Sequence, residues 1–267
     1  MRREGHNWCG GTTLLPNNKL LMLEVPVYTF TVKPGTYHEF IDLDDDACDG
    51  FLVVLNQDGS LDRKVRVSSW SYSIAAINST IVAVTSSRHS KIVIVNLLDK
   101  SVQKTINTKY PCYGITYSNK SLFYSCGEHG IEIRNLISGK VSELKIGNKT
   151  LYEHIAIHND KIYISECWKH KGITCYDMAG KFIWKWEDNE VIGGIFDLTI
   201  DKDSNVYGVG ARSKYIVIIS ANGKQSKYFN LNDTYDWINL RSIDCCLQSS
   251  KLYVTDDNMN TKIYEIN

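Results

Sequence analysis

The chain repeats itself. Six segments share one layout: a short strand, a polar turn, a second strand, a loop, a third strand and, in most, a glycine turn and a fourth strand. The turn and second strand read Asn17-Asn18-Lys19-Leu20-Leu21-Met22, then Asn78-Ser79-Thr80-Ile81-Val82, then Asn119-Lys120-Ser121-Leu122-Phe123. Asn159-Asp160-Lys161-Ile162-Tyr163, Asp203-Ser204-Asn205-Val206-Tyr207 and Ser250-Lys251-Leu252-Tyr253 follow. Aligned on Leu20, Ile81, Leu122, Ile162, Val206 and Leu252, the units stand 61, 41, 40, 44 and 46 residues apart. Third strands recur at Phe51–Leu55, Ile92–Val95, Gly130–Ile133, Ile173–Tyr176, Tyr215–Ile218 and Lys262–Ile266. Turns such as Asp58-Gly59 and Asn222-Gly223 follow most of them, and these dipeptides suit tight hairpins whose two central residues need positive φ. No stretch keeps a helical period for more than a turn or two.

Four short antiparallel strands in about 40 residues cannot bury both faces alone, but stacked neighbours can. The period therefore predicts an all-β fold, a six-bladed β-propeller of four-stranded antiparallel blades, as one domain over residues 1–267. The first unit is stretched by an insertion, roughly Val25 to Asp49. The sixth unit shows only three strands. Its outer strand is expected from the N-terminus, for which Met1–Trp8 is short and polar, or from a weak fourth strand or a longer protein.

Composition narrows the class. Apolar residues at 43% against 22% charged exclude wholesale disorder. Thirty basic residues cancel thirty acidic ones, so no polybasic tail is present, though a local basic face is allowed. The N-terminal residues carry no apolar signal-peptide run, and apolar stretches such as Ile92–Leu98 are strand-sized, so a cytoplasmic, non-membrane protein is expected. Four N-x-S/T sequons, at Asn78, Asn119, Asn148 and Asn232, are expected to stay idle in that setting. The eight cysteines form no C-x-x-C and read as reduced, mostly apolar core residues.

Several segments resemble a known group. Leu15-Pro16-Asn17-Asn18-Lys19-Leu20-Leu21, Leu55-Asn56-Gln57-Asp58-Gly59-Ser60-Leu61-Asp62, Gly114-Ile115-Thr116-Tyr117 and Asp201-Lys202-Asp203-Ser204-Asn205-Val206-Tyr207 are similar to the C-terminal NHL-like propellers of tripartite-motif proteins. The resemblance runs from about Gly10 to Asn267. It implies a module that recognises a protein partner, within a system where a RING domain supplies ubiquitin-ligase activity. This chain has no zinc-ligand spacing and no heptads ahead of the propeller, so only the recognition role carries over, not the ligase activity.

Propellers bind through face loops. The loops from second to third strands bring Arg88, His89, His129, Trp168, Lys169, His170, Lys171, Arg212 and Lys214 to one face, and the linkers between blades add Trp70, Tyr110, Tyr152, Tyr235 and Trp237. Five Lys/Arg stand there in blades two to five against Glu128 and Glu166. The partner-binding set is Arg88, His89, His129, Trp168, Lys169, His170, Lys171, Arg212, Lys214, Tyr235 and Trp237, with a protein as the expected partner. RNA is the alternative, held by phosphate contacts and base stacking.

Other constellations are weaker. Asp42-Leu43-Asp44-Asp45-Asp46-Ala47 has calcium-loop spacing, but Ala47 and Val53 stand where Gly and Glu are needed, so a solvated acidic loop is expected, one that could screen the basic face. His154 and His158 share one side of a strand without a third zinc ligand. Cys167 and Cys175 flank a hairpin. No G-x-S-x-G, H-E-x-x-H or phosphate loop occurs. The first strands read largely as Ile, Ala, Thr, Leu and Tyr, which leaves a calcium-dependent hydrolase as the third reading. The expectation is a non-catalytic chain with no catalytic residues, no metal site and no cofactor.

Overall fold

Leu20 and Met22 point toward one neighbouring blade, Leu21 and Leu23 toward the other, and all four are buried. That is why the second strand of a unit is apolar on both faces: it lies between two sheets. Leu122-Phe123-Tyr124 and Ile162-Tyr163-Ile164 repeat the arrangement.

This structure is a computed structural model that describes residues 4–29, 49–68, 70–146, 152–166, 172–187, 194–210, 213–231, 240–256 and 258–266. Blade 1 holds β1 (Glu4–Leu14), β2 (Leu20–Thr29), β3 (Asp49–Leu55) and β4 (Leu61–Ser68). Blade 2 holds β5 (Ser71–Ala76), β6 (Ile81–Ser86), β7 (Lys91–Asn96) and β8 (Ser101–Asn107). Blade 3 holds β9 (Ile115–Ser118), β10 (Ser121–Ser125), β11 (Ile131–Asn135) and β12 (Val141–Glu143), with a short 3-10 turn at Gly127–His129. Blade 4 holds β13 (Tyr152–His158), β14 (Lys161–Glu166), β15 (Gly172–Asp177) and β16 (Phe182–Glu187). Blade 5 holds β17 (Ile195–Ile200), β18 (Val206–Gly210), β19 (Tyr215–Ile219) and β20 (Ser226–Asn230). Blade 6 has β21 (Leu240–Cys246), β22 (Lys251–Asp256) and β23 (Thr261–Glu265). All pairings are antiparallel. The six first strands stand side by side around a central channel, and β1 lies against both β5 and β21, so the ring closes.

Three expectations need correction. The N-terminal segment does not supply the outer strand of blade 6: Glu4–Leu14 is the innermost strand of blade 1. Its N-terminal half pairs with an extended β2, Glu4 opposite Thr29, so the insertion leaves the sheet after Thr29 rather than at Val25. The aspartates of the acidic loop, Asp42 to Asp46, lie outside the described residues. The glycine turns after third strands are also not two-residue loops with two positive φ values. At Asn56–Ser60 the Gly59 N–H bonds the Asn56 carbonyl at 3.0 Å, the Asn56 N–H bonds the Ser60 carbonyl at 2.9 Å, and Gly59 alone has positive φ, 83°. The positive φ of Gly59 and the Asn56–Ser60 bond mark the bulge that goes with this three-residue loop, and a separate register shift follows at Val54/Leu55, where Asp62 is the extra residue. The loops with two positive φ values join first to second strands instead, at Asn119-Lys120 (47° and 63°) and Asn159-Asp160 (47° and 56°). Asn tolerates that region better than most residues.

Bulges also recur in the first strands. Register shifts occur between Cys9 and Gly11, Ser71 and Ile74, Tyr152 and Ile155, Ile195 and Asp197, and Leu240 and Ser242. A bulge leaves a backbone N–H unpaired. Hydroxyls from the second strands accept two of these: Thr85 Oγ1 from Ser73 N–H at 3.1 Å, and Ser165 Oγ from His154 N–H at 3.1 Å. The bulges re-aim the side chains that line the upper channel.

Candidate functional site: channel mouth and loop face

Contacts link one side chain from each blade around the channel mouth. Tyr113 meets Tyr72 edge-on, with ring centroids 5.2 Å apart, and Tyr72 lies 5.8 Å from the His154 ring. His154 Nδ1 is 3.2 Å from Asp197 Oδ1. Ser242 Oγ donates to Asp197 Oδ2 and stands 2.7 Å from Thr12 Oγ1. The belt thus runs from blade 3 through blades 2, 4, 5 and 6 to blade 1. Below it the channel holds a cavity of about 400 Å³, lined among others by Thr116, His154, His158, Asp197, Thr199 and Asp244.

The carboxylates here are occupied. Asp197 accepts from Leu198 N–H at 2.9 Å and Ile243 N–H at 3.1 Å besides its side-chain partners. Asp244 accepts from Leu14 N–H and Cys245 N–H, each at 2.7 Å, and from the Thr199 hydroxyl at 3.1 Å. Burial pushes Asp244 up to about 6, with the nearby Asp197 charge adding to the rise, while the Leu14, Cys245 and Thr199 hydrogen bonds oppose it. Among the described residues no group of three or more His, Cys, Asp or Glu side chains is arranged to hold a metal ion. The arrangement ties blades together. The reading of the first strands as largely Ile, Ala, Thr, Leu and Tyr passed over Asp197 and Asp244, although each stands alone between apolar residues of a first strand, in Phe196-Asp197-Leu198 and Ile243-Asp244-Cys245. His154 and His158 do share the channel side, and the partner that sequence spacing did not reveal is Asp197 from the next blade.

The loop face follows from the strand directions. Each second strand ends on the face where the linkers between blades also emerge. Of the expected binding residues, Arg88, His89, His129 and Lys214 are described. The Arg88 guanidinium lies over the Trp70 ring, 4.6 Å from its centroid. His89 Nδ1 is 3.1 Å from Ser86 Oγ. His129 stacks flat on Tyr110 at 3.7 Å and 8°. Lys109 Nζ sits 4.8 Å from the same ring, and the Tyr110 hydroxyl holds its ammonium above the ordinary lysine range. Lys214 is exposed. Two expected loop residues are thus brought onto aromatic rings from the blade linkers, and Lys109 joins them unforeseen. Trp168, Lys169, His170, Lys171, Arg212, Tyr235 and Trp237 lie outside the described residues, as does Cys167. The described cysteines are all buried. Cys112 and Cys126 are neighbours beneath the Tyr110–His129 stack: their hydrogen bond holds the Cys112 thiol down and, with burial, pushes Cys126 up.

No known protein family matches the chain, and no curated protein matches it in sequence. Solved structures do match in fold. Virginiamycin B lyase from Staphylococcus aureus superposes with a TM-score of 0.61 at 14% identity, over 100% of this chain and 89% of that one. Hydrazine synthase from Kuenenia stuttgartiensis gives a TM-score of 0.67 at 12% identity, over 96% and 76%. The Cps50 (Swd1) β-propeller domain of Myceliophteria thermophila gives 0.60 at 9% identity, over 100% and 99%. The chain is a six-bladed β-propeller. At such identities the likeness extends to the scaffold alone. No helix among the described residues is long and apolar enough to cross a membrane.

Proposed function

We propose that the propeller is a non-catalytic recognition module that binds a protein partner through its loop face, in the manner that the resemblance to tripartite-motif propellers implies, including substrate recognition for a ubiquitin ligase. The observation that carries this reading is a pair of stacks on aromatic rings, the Arg88 guanidinium on Trp70 and the His129 ring on Tyr110. Each joins a loop within a blade to the linker entering the blade, so large amphipathic side chains are held in place before a partner arrives. Pre-ordered aromatic and Arg side chains lose little entropy on binding and are the side chains that dominate protein interfaces. The proposed surface extends, on position in the sequence repeat alone, to Trp168, Lys169, His170, Lys171, Arg212, Lys214, Tyr235 and Trp237. The channel carboxylates support a non-catalytic reading because each already accepts hydrogen bonds within the ring.

The test is affinity capture from native lysate with cross-linking, with and without RNase, using the wild-type chain and Trp70→Ala/Tyr110→Ala. A cross-linked protein that survives RNase and is lost from the double variant is the expected result. Binding that disappears with RNase and falls steeply with salt would replace this reading with RNA recognition.

A further inference from the structure

The bulges in the first strands place one residue pair of each blade at the same point, on the loop-face side of the bulge. In blade 2 it is Ser71 opposite Ser86, in blade 5 Ile195 opposite Gly210, and in blade 6 Leu240 opposite Asp256. In blade 3 the same point is held by Cys112 and Cys126. Tyr113 N–H bonds the Ser125 carbonyl and Ser125 N–H the Gly114 carbonyl, each at 2.9 Å. Tyr113 and Gly114 therefore share one partner, and the next pair outward is Cys112 with Cys126. Such a pair follows a hydrogen-bonded one, where side chains approach most closely and Cα atoms stand about 4.5 Å apart. A disulfide needs roughly 4.4–6.8 Å. The scaffold accepts hydroxyls, aliphatic groups and a carboxylate at this point, so paired thiols are a property of blade 3 and not a demand of the fold.

Both cysteines sit in the core between blades 2 and 3, at 0% and 1% exposure. The thiols hydrogen-bond each other, and Thr108 Oγ1 lies 3.0 Å from Cys112 Sγ. The bond from Cys126 holds the Cys112 thiol below its ordinary range; burial opposes this and Thr108 adds to it. The same bond and burial push Cys126 up. The two sulfurs are thus unequal, and Cys112 gives up its proton first. Tyr110 packs half-buried on the same cluster, and its ring is stacked on the exposed His129. That ring stands between the thiols and solvent.

We infer that Cys112 and Cys126 are a peroxide-reactive dithiol, in which Cys112 is the attacking sulfur and Cys126 closes a disulfide across the strand pair. The Cys112 thiolate attacks a hydroperoxide oxygen. An S–O bond forms, the O–O bond breaks, and the leaving oxygen takes up a proton as water or an alcohol. The sulfur loses two electrons and the peroxide gains them. Cys126 then attacks the sulfenic sulfur: the S–S bond forms, the S–O bond breaks, and the hydroxide leaves with the Cys126 proton as water. The product staples the linker entering blade 3 to the strand end that leads into the Gly127–His129 turn, so two elements of the loop face become covalently joined. The reaction needs no partner protein, and its test is independent of the recognition reading.

The full chain is reduced, freed of reductant and treated with hydrogen peroxide. Remaining thiols are alkylated, and tryptic peptides, which separate the two cysteines at Lys120, are mapped without reduction. The expected product is one peptide pair joined through Cys112 and Cys126 and released by dithiothreitol. Cys126→Ser should stop the reaction at a Cys112 sulfenic acid that dimedone traps, whereas Cys112→Ser should leave Cys126 unlabelled. Tyr110→Ala should speed disulfide formation by about 2- to 10-fold, the span that loss of one aromatic stack gives. Both thiols still free after peroxide, or each joined to other cysteines, would overturn the proposal. So would dimedone labelling of Cys126 in the Cys112→Ser chain as fast as that of Cys112 in the Cys126→Ser chain, since the sulfurs would then be equivalent. The wild-type map requires no substitution, so a variant that fails to fold leaves the decision with it.

Discussion

Between blades 1 and 2 the contact is apolar from the axis to the rim: Leu21, Leu23, Leu52 and Val54 meet Val82, Val84 and Val95, and Val65 and Val67 close the outside. Between blades 6 and 1 the apolar part shrinks to Leu20, Met22 and Val53, and hydrogen bonds near the axis take over. Ser242 Oγ accepts from Thr12 N–H at 2.8 Å, Asp244 accepts from Leu14 N–H, and Arg241 Nε donates to the Cys9 carbonyl at 3.3 Å. The chain ends of a ring must meet somewhere. Here they meet through a polar girdle with little apolar contact, whereas the seam between blades 1 and 2 relies on burial. Area removed from water is non-directional and large in sum, whereas each buried hydrogen bond adds little net but is costly to leave half-made. The two seams should therefore fail differently.

The largest effect is expected in the apolar seam. Leu52 is fully buried, and Leu52→Ala should cost about 2–5 kcal/mol, read as a drop in the urea midpoint of the whole chain. Met22→Ala, on the sparse seam, should fall at the lower end of that range, because a neighbouring groove already limits its contacts. Equal losses at the two positions would mean that the sixth seam is as well packed as the first.

The girdle should show itself through pH. Asp244 is raised from 3.8 to about 6 in the folded chain, so between these values the folded state holds a proton that the unfolded chain has released. Its contribution to stability is complete below about pH 4 and is lost as pH rises through about 6, on the order of 3 kcal/mol in total. Denaturation midpoints from pH 4 to 7 should carry that downward component in wild type and lack it in Asp244→Asn. An unchanged slope would mean that Asp244 is not buried with Asp197 beside it.

How much of this was legible beforehand differs between the two seams. The repeat spacing and the doubly apolar second strands required stacked sheets, so the blade order and the apolar seams followed from periodicity. Loop placement followed too, because chain direction alternates from strand to strand: that is why Trp70 and Arg88, or Tyr110 and His129, could be assigned to one face. Asp197 and Asp244 were not recognised, since a lone Asp in an apolar strand has no periodic signature. Its partners, His154 and Leu14, lie 43 and 230 residues away in sequence. The turn geometry was misjudged for a local reason. Asp-Gly fits two loop types, and the pairing of Asn56 with both Gly59 and Ser60 separates them. The direction of β1 was likewise hidden, because its pairing with the extended β2 depends on the insertion rather than on the repeat.

Ser242→Ala should come next in size. It removes the hydroxyl that accepts the Thr12 N–H and donates to Asp197, leaving the buried Thr12 and the part-buried Asp197 each short of a bond, at about 1–3 kcal/mol. Hydrogen exchange should then rise in β1 and β21 before it rises in β6 or β14, since the ring opens at this seam first. Uniform acceleration across all blades would show that the seams are energetically equivalent.

The smallest and sharpest test is Arg241→Ala. Arg241 reaches back to the Cys9 carbonyl of blade 1, and its guanidinium lies 4.6 Å from the centre of the Phe196 ring of blade 5, so one side chain spans three blades. The contact over Phe196 is partly exposed, and a cation on such a ring contributes about 0.5–1 kcal/mol. The substitution should lower the denaturation midpoint only slightly. Its mark should be local, as faster exchange of the amides near Cys9 with β7 and β15 unaffected. A loss as large as that of Leu52→Ala would place the main strength of the closure in this one cation. A loss too small to measure, with exchange near Cys9 unchanged, would leave closure to Thr12, Ser242 and Asp244 near the axis.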